Sequence, residues 1–171
     1  VETRDVREIY RSQNRAHCGV ATFSPVAEKV AFILGPEHPT DDWQYSASHR
    51  QGVIVDLARP GMAVPLDARD IVPPFTAGAL RGGTHVHVFS GDGNWVSFTY
   101  DDHVLEKADA AGCRSHERNQ RNVGVSVLGH AVQVPGTHPR NQGGSAFSVL
   151  ATRTVNEPLP GSAEISRAFE D

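Results

Sequence analysis

Two histidines one residue apart, His85 and His87, are the side chains whose type and spacing could do chemistry most directly. They fall in residues 84–90, a run rich in β-branched and aromatic residues that predicts a β-strand. Successive strand side chains face opposite ways, so both imidazoles are expected on one side, with Val86 and Val88 on the other. Two such neighbours can chelate one divalent ion, and imidazole suits Zn, Mn, Fe, Ni or Cu. Zinc or manganese is the expected ion here, with His17 or His138 as the third ligand. The plainer reading is that the pair hydrogen-bonds adjacent loops.

The elements that must position this pair repeat along the chain. Residues 84–90 and 95–100 flank Gly91-Asp92-Gly93-Asn94, whose residues tolerate positive φ or form Asx turns, and so predict a hairpin. A weaker copy runs through residues 19–24, the turn 25–28 and residues 29–34, with Phe23 and Phe89 aligned 66 residues apart. That period exceeds the roughly 40–45 residues of a plain four-stranded propeller blade, which puts the excess in loops. Further strands are expected at 52–57 and 62–66, then at 122–128 and 131–134. Residues 145–155 should begin another blade, and residues 5–11 alternate like an outer strand. Ser162 offers an N-cap to a short helix over 163–170.

The segment FSGDGNWVSFTYD resembles the repeat signature of TolB-type β-propellers. LRGGTHVHVFSGDGNWVSFTYDDHV, with RNVGVSVLG and NEPLPGSAEISRAFED downstream, resembles an uncharacterised bacterial family of TolB-like propellers over nearly the whole chain. The resemblance implies an all-β, incomplete propeller forming a single segment over residues 1–171. Residues 1–11 would be the outer strand of a preceding blade, 17–67 and 84–135 two four-stranded blades, and 145–171 the start of a further blade with its helix. Members of that family are longer, so a fragment is expected, whose partners are the missing blades or other copies of itself. HVHVFSGDG is also similar to the His-x-His strand of oligogalacturonate lyases, whose metal is held by three histidines and a glutamine. Gly82 stands where those enzymes have the glutamine, and glycine has no side chain to coordinate an ion. Lyase chemistry would need Arg50 or Arg81 to meet a uronate carboxylate, and no residue is marked as the base.

In an up-and-down blade the loop entering strand one and the loop between strands two and three share a rim. That rule puts His17, His38, His49, His103, His116 and His138 on one side with the His85–His87 strand, and only His130 on the other. Arg15, Arg50, Arg81, Arg114 and Arg140 sit in the same loops. This His/Arg-rich rim is the expected functional face, serving either to bind a protein or a polymeric ligand such as an anionic carbohydrate, or to act as a metal-dependent lyase on acidic oligosaccharides. Trp43, among carboxylates, could stack on a sugar, though a Trp folded back onto the rim is the commoner outcome. Asp101-Asp102 is read as a backbone cap, and Phe23, Phe32, Phe89 and Phe98 as core.

Composition narrows the classes. A net charge of −4 argues against a general nucleic-acid binder. No run of 18 or more apolar residues predicts a membrane span, and no leader is legible at the start, which leaves cytoplasm and periplasm both open. Cys18 and Cys113 lack metal-type spacing and are expected as free thiols.

Overall fold

The computed structural model describes residues 5–113 and 117–168. Strands β1 (Cys18–Phe23), β2 (Lys29–Leu34), β3 (Gln51–Asp56) and β4 (Ala63–Pro65) form one antiparallel sheet in that spatial order. After the short parallel pair β5 (Ala68–Arg69) and β6 (Ala79–Leu80), a second antiparallel sheet follows. It is built from β7 (Gly82–Phe89), β8 (Trp95–Asp102), β9 (Asn122–Val132) and β10 (Gly144–Leu150), again in sequential order. Helix α1 (His103–Ala110) leaves the end of β8, and a parallel pair, β11 (Arg153–Thr154) with β12 (Glu164–Ile165), follows the second sheet. No helix among the described residues is long and apolar enough to cross a membrane.

Strand alternation decides what each sheet buries. On β2, Val30 and Phe32 face a cluster with Val53 and Val55, against which Ile9 and Tyr10 pack. The intervening Ala31 belongs instead to a cluster with Leu66, Phe89, Val96 and Ala146, which joins the two sheets. Each large apolar side chain buried in this way contributes roughly 1.5–3 kcal/mol. Phe32, Phe89 and Phe98 are core as expected, whereas Phe23 is 62% exposed at the end of the edge strand β1.

The 66-residue repeat extends into the backbone. The β1–β2 pairing slips between Gly19 and Thr22, and the β7–β8 pairing slips between His85 and Val88, two β-bulges at equivalent positions of the repeat. Each bulge holds a valine in the left-handed region, Val20 at φ 54° and Val86 at φ 49°. A β-branched residue is strongly disfavoured there, so the surrounding pairing must impose it. Bulges re-aim side chains, and at the position where β1 has Ala21, β7 has His87.

Four expectations need correction. Residues 131–134 are not a separate strand. Gly129, at φ 79°, takes up a register irregularity within the long β9 rather than forming a turn, and Ala131 and Val132 belong to β9. The fourth strand of the second sheet is β10, which was expected to open a further blade. Residues 5–11 form no strand; Ile9 accepts a hydrogen bond from Gly61 N–H at 2.7 Å, and Tyr10 packs on Phe32 with ring centroids 5.1 Å apart. No helix forms over residues 163–168, because Glu164 and Ile165 pair with Arg153 and Thr154; residues 169 and 170 lie outside the described residues.

The helix lies instead in the expected loop 101–120. Asp102 caps it, its carboxylate accepting Leu105 N–H at 2.9 Å. Cys18 and Cys113 are free and exposed.

Candidate functional site

Two polar clusters bring histidines of the expected rim together with carboxylates. The first lies between the sheets. The β7 bulge breaks simple alternation, and His87 turns to the side of Thr84, fully buried, with its Nε2 3.0 Å from Thr84 Oγ1. Thr84 Oγ1 donates to Asp67 Oδ1 at 3.0 Å. The β3 backbone N–H of Gly52 reaches Asp67 Oδ1 at 3.1 Å and Thr84 Oγ1 at 3.0 Å. With Thr84 donating to the carboxylate, its oxygen is left to accept from His87, which assigns the Nε2–H tautomer. Gly52 has to be glycine, since a Cβ there would stand 2.3 Å from His87 Nε2 and 2.6 Å from Asp67 Oδ1.

Burial drives the ionisation of this cluster. It pushes His87 down to about 3, helped by the nearby charges of His85 and Arg50. It also raises Asp67 to about 6, against the lowering effects of the Thr84 hydrogen bond and Arg69. Although His87 Nε2 lies 3.9 Å from Asp67 Oδ1, the imidazole is neutral at pH 7 and the link runs through Thr84, so this is no ion pair. His85 is half-buried and keeps register with Thr99, and the bulge that follows it interrupts the simple alternation on which the pairing of the two imidazoles was expected.

The second cluster lies where the β2–β3 and β8–β9 connections meet. Trp43 folds back onto the protein, 5% exposed, and stacks on His49 with centroids 3.8 Å apart and planes 16° apart. His49 lies two residues before β3, and His103 is the first residue of α1. His49 Nδ1 lies 2.7 Å from the Gln44 carbonyl, and its Nε2 lies 2.9 Å from His103 Nδ1. Glu106 follows His103 by three positions and so shares its helix face. Its carboxylate accepts from Ser48 Oγ. Burial lowers both imidazoles; His103 is held at about 4, with His49 and Lys107 adding to the effect.

Two guanidiniums flank this cluster. Arg69, 5.3 Å over Trp43, donates to the carbonyls of Arg140 and His49. Arg140, 5.6 Å over the same ring, donates to the carbonyls of Glu37 and His38 at 3.0 Å each. A cleft of about 580 Å³ opens beside them, lined by His38, Trp43, His103, Lys107, His138 and Arg140 among others.

Residues 17–142 match the family described as "Protein of unknown function (DUF3748)". The chain belongs to this family. It is also 47% identical over all 171 of its residues to "Uncharacterized protein YidR" of Escherichia coli (strain K12), and spans 39% of that relative's length. No solved structure matches the chain.

In this DUF3748 member the candidate residues part company. Arg50 is buried. Arg81 is committed to Asp102, with Nε to Oδ2 at 2.8 Å, while Tyr100 OH donates to the same oxygen at 3.0 Å. His17 is exposed beside Tyr45, and His138 lies near Trp43 with centroids 6.5 Å apart. Among the described residues, the set of three ligand-type groups within 4.8 Å of one another is His49, His103 and Glu106. Neither His17 nor His138 therefore completes such a set with His85 and His87. Arg114 and His116 lie outside the described residues. The legible signal for the second cluster was the shared end of two loops, together with His-Val-Leu-Glu directly after the capping Asp102.

Proposed function

We propose that this chain is a section of a TolB-like β-propeller that binds an acidic polymeric ligand in the cleft beside Trp43. Two consecutive four-stranded antiparallel sheets, each in sequential strand order and each carrying the same bulge, support the propeller reading.

The observation that carries the ligand reading is the state of Arg140, which lines the cleft, whereas Arg69 is buried. The hydrogen bonds of Arg140 run to the backbone carbonyls of Glu37 and His38, so its geometry is fixed with no carboxylate at ion-pair distance among the described residues. Lys107 and three imidazoles, those of His38, His103 and His138, share the cleft, and Glu37 and Asp42 at its edge offset part of the charge. A concave site with prepaid cation geometry suits a carboxylate-bearing chain, since guanidinium and carboxylate pair with strong, charge-assisted hydrogen bonds. Acidic oligosaccharides fit this description.

Calorimetric titration with a uronate oligosaccharide, a neutral oligosaccharide of equal length and an acidic peptide tests the reading. The uronate chain is expected to bind, weakening with salt and at least tenfold in Arg140→Ala. Equal affinity for the neutral sugar, preference for the peptide, or indifference to Arg140→Ala would overturn it.

A further inference from the structure

We propose that His49, His103 and Glu106 form a binding site for a divalent transition-metal ion of the zinc and manganese class. The inference stands on side-chain geometry and does not rest on the acidic-ligand reading.

The donor set suits such an ion: two imidazole nitrogens and one carboxylate, all within 4.8 Å of one another. Nitrogens bound to one ion at about 2.0–2.1 Å sit about 2.9–3.4 Å apart for right-angle to tetrahedral geometry, and His49 Nε2 and His103 Nδ1 are already 2.9 Å apart. His103 and Glu106 come from one helical turn, so α1 offers them together. Glu106 is the exposed member, with a carboxylate oxygen within 4.8 Å of both imidazole nitrogens.

The surroundings have the form of a metal site's outer layer. His49 Nδ1 lies at 2.7 Å from the Gln44 carbonyl, which accepts only from an N–H, so Nδ1 carries the proton and the Nε2 lone pair faces His103 Nδ1. Ser48 Oγ donates to the Glu106 carboxylate. Trp43, stacked flat on His49, fixes the plane of that ring. The remaining coordination positions would open toward the cleft lined by Lys107, His138 and Arg140. This set differs from the His85 and His87 pair, which belongs to no such group of three among the described residues.

The competing account is a metal-free hydrogen bond between His49 and His103. To separate them, the intact chain is purified without a polyhistidine tag, stripped with chelator, and titrated with zinc, then with cobalt as a spectroscopic probe. The expected result is one equivalent bound and ligand-field bands of imidazole–carboxylate cobalt. His103→Ala should weaken zinc binding about 100-fold and Glu106→Gln about tenfold, while His85→Ala should leave it unchanged. Glu106 is exposed, so Glu106→Gln keeps the test valid if His103→Ala fails to fold. No stoichiometric binding, unchanged affinity in Glu106→Gln, or loss confined to the His85 variant would overturn the assignment.

Discussion

The cluster around His87 and the cluster around His49 use similar residue types, the first sealed between the sheets and the second with buried imidazoles but an exposed carboxylate beside a cleft. In the first, a fully buried imidazole, a threonine and a carboxylate close a circuit with the Gly52 N–H of the neighbouring sheet. In the second, two imidazoles and a carboxylate converge from two loops beside a cleft. The difference teaches that spacing along a strand marks where histidines are held. Convergence of loops marks where they can work.

The largest effect should come from tightening the sealed cluster. Gly52→Ala would drive a Cβ into His87 and Asp67, and should cost about 3 kcal/mol in denaturant unfolding. A loss below about 1 kcal/mol would mean that the two sheets separate more easily than this contact implies. Next is Arg81→Ala, which strips Asp102 of its ion-pair partner while Tyr100 and Leu105 still donate to it. Because Arg81 is partly exposed, about 2 kcal/mol is expected rather than the full cost of breaking a buried pair. A normal melt with lost ligand binding would instead return Arg81 to the functional set.

Smaller, and more diagnostic, are two opposite pH slopes. Asp67 ionises near 6 when folded against an ordinary 3.8, so between those values the native state holds the extra proton and stability falls as pH rises. His87, at about 3 against 6.5, does the reverse, and its contribution is lost as pH falls through that window. In the native protein these two terms oppose each other between about pH 4 and 6. Relative to the native slope, to which the lowered His103 and His49 add a rising background, Asp67→Asn should make stability rise more steeply with pH there and His87→Gln should make it rise less or fall, each by about 1.4 kcal/mol per pH unit at most. Parallel slopes in both variants, read from melts at several pH values, would break the assignment. The smallest effect is expected at the open cluster, where Glu106→Gln should change apo stability by less than about 0.5 kcal/mol. A large loss there would make that cluster structural too.

Much of the framework was legible. The seven predicted strands that correspond to the two hairpins and to β3, β4 and β9 lie within a few residues of those observed, because β-branched runs bounded by turn residues carry their own signal. The phase of the repeat was legible too, from Phe23 and Phe89. The bulge within it was not, since Val20 and Val86 are poor residues for positive φ and nothing local requests it. Strand β10 was displaced for a related reason: Gly129 signals a turn, and only pairing with β10 keeps β9 running through it.

What the chain's residues determined alone is the alternating β pattern, the repeat, the Asp102 cap and the supply of histidines and arginines to a common set of loops. Tertiary structure decided which of them meet. Sheet pairing imposed the bulge that buries His87 against Gly52, and the fold of the 35–50 segment laid Trp43 on His49 within reach of a helix 54 residues further on. Long-range contacts of this kind are fixed by packing many weak interactions at once, and no short window of sequence contains them.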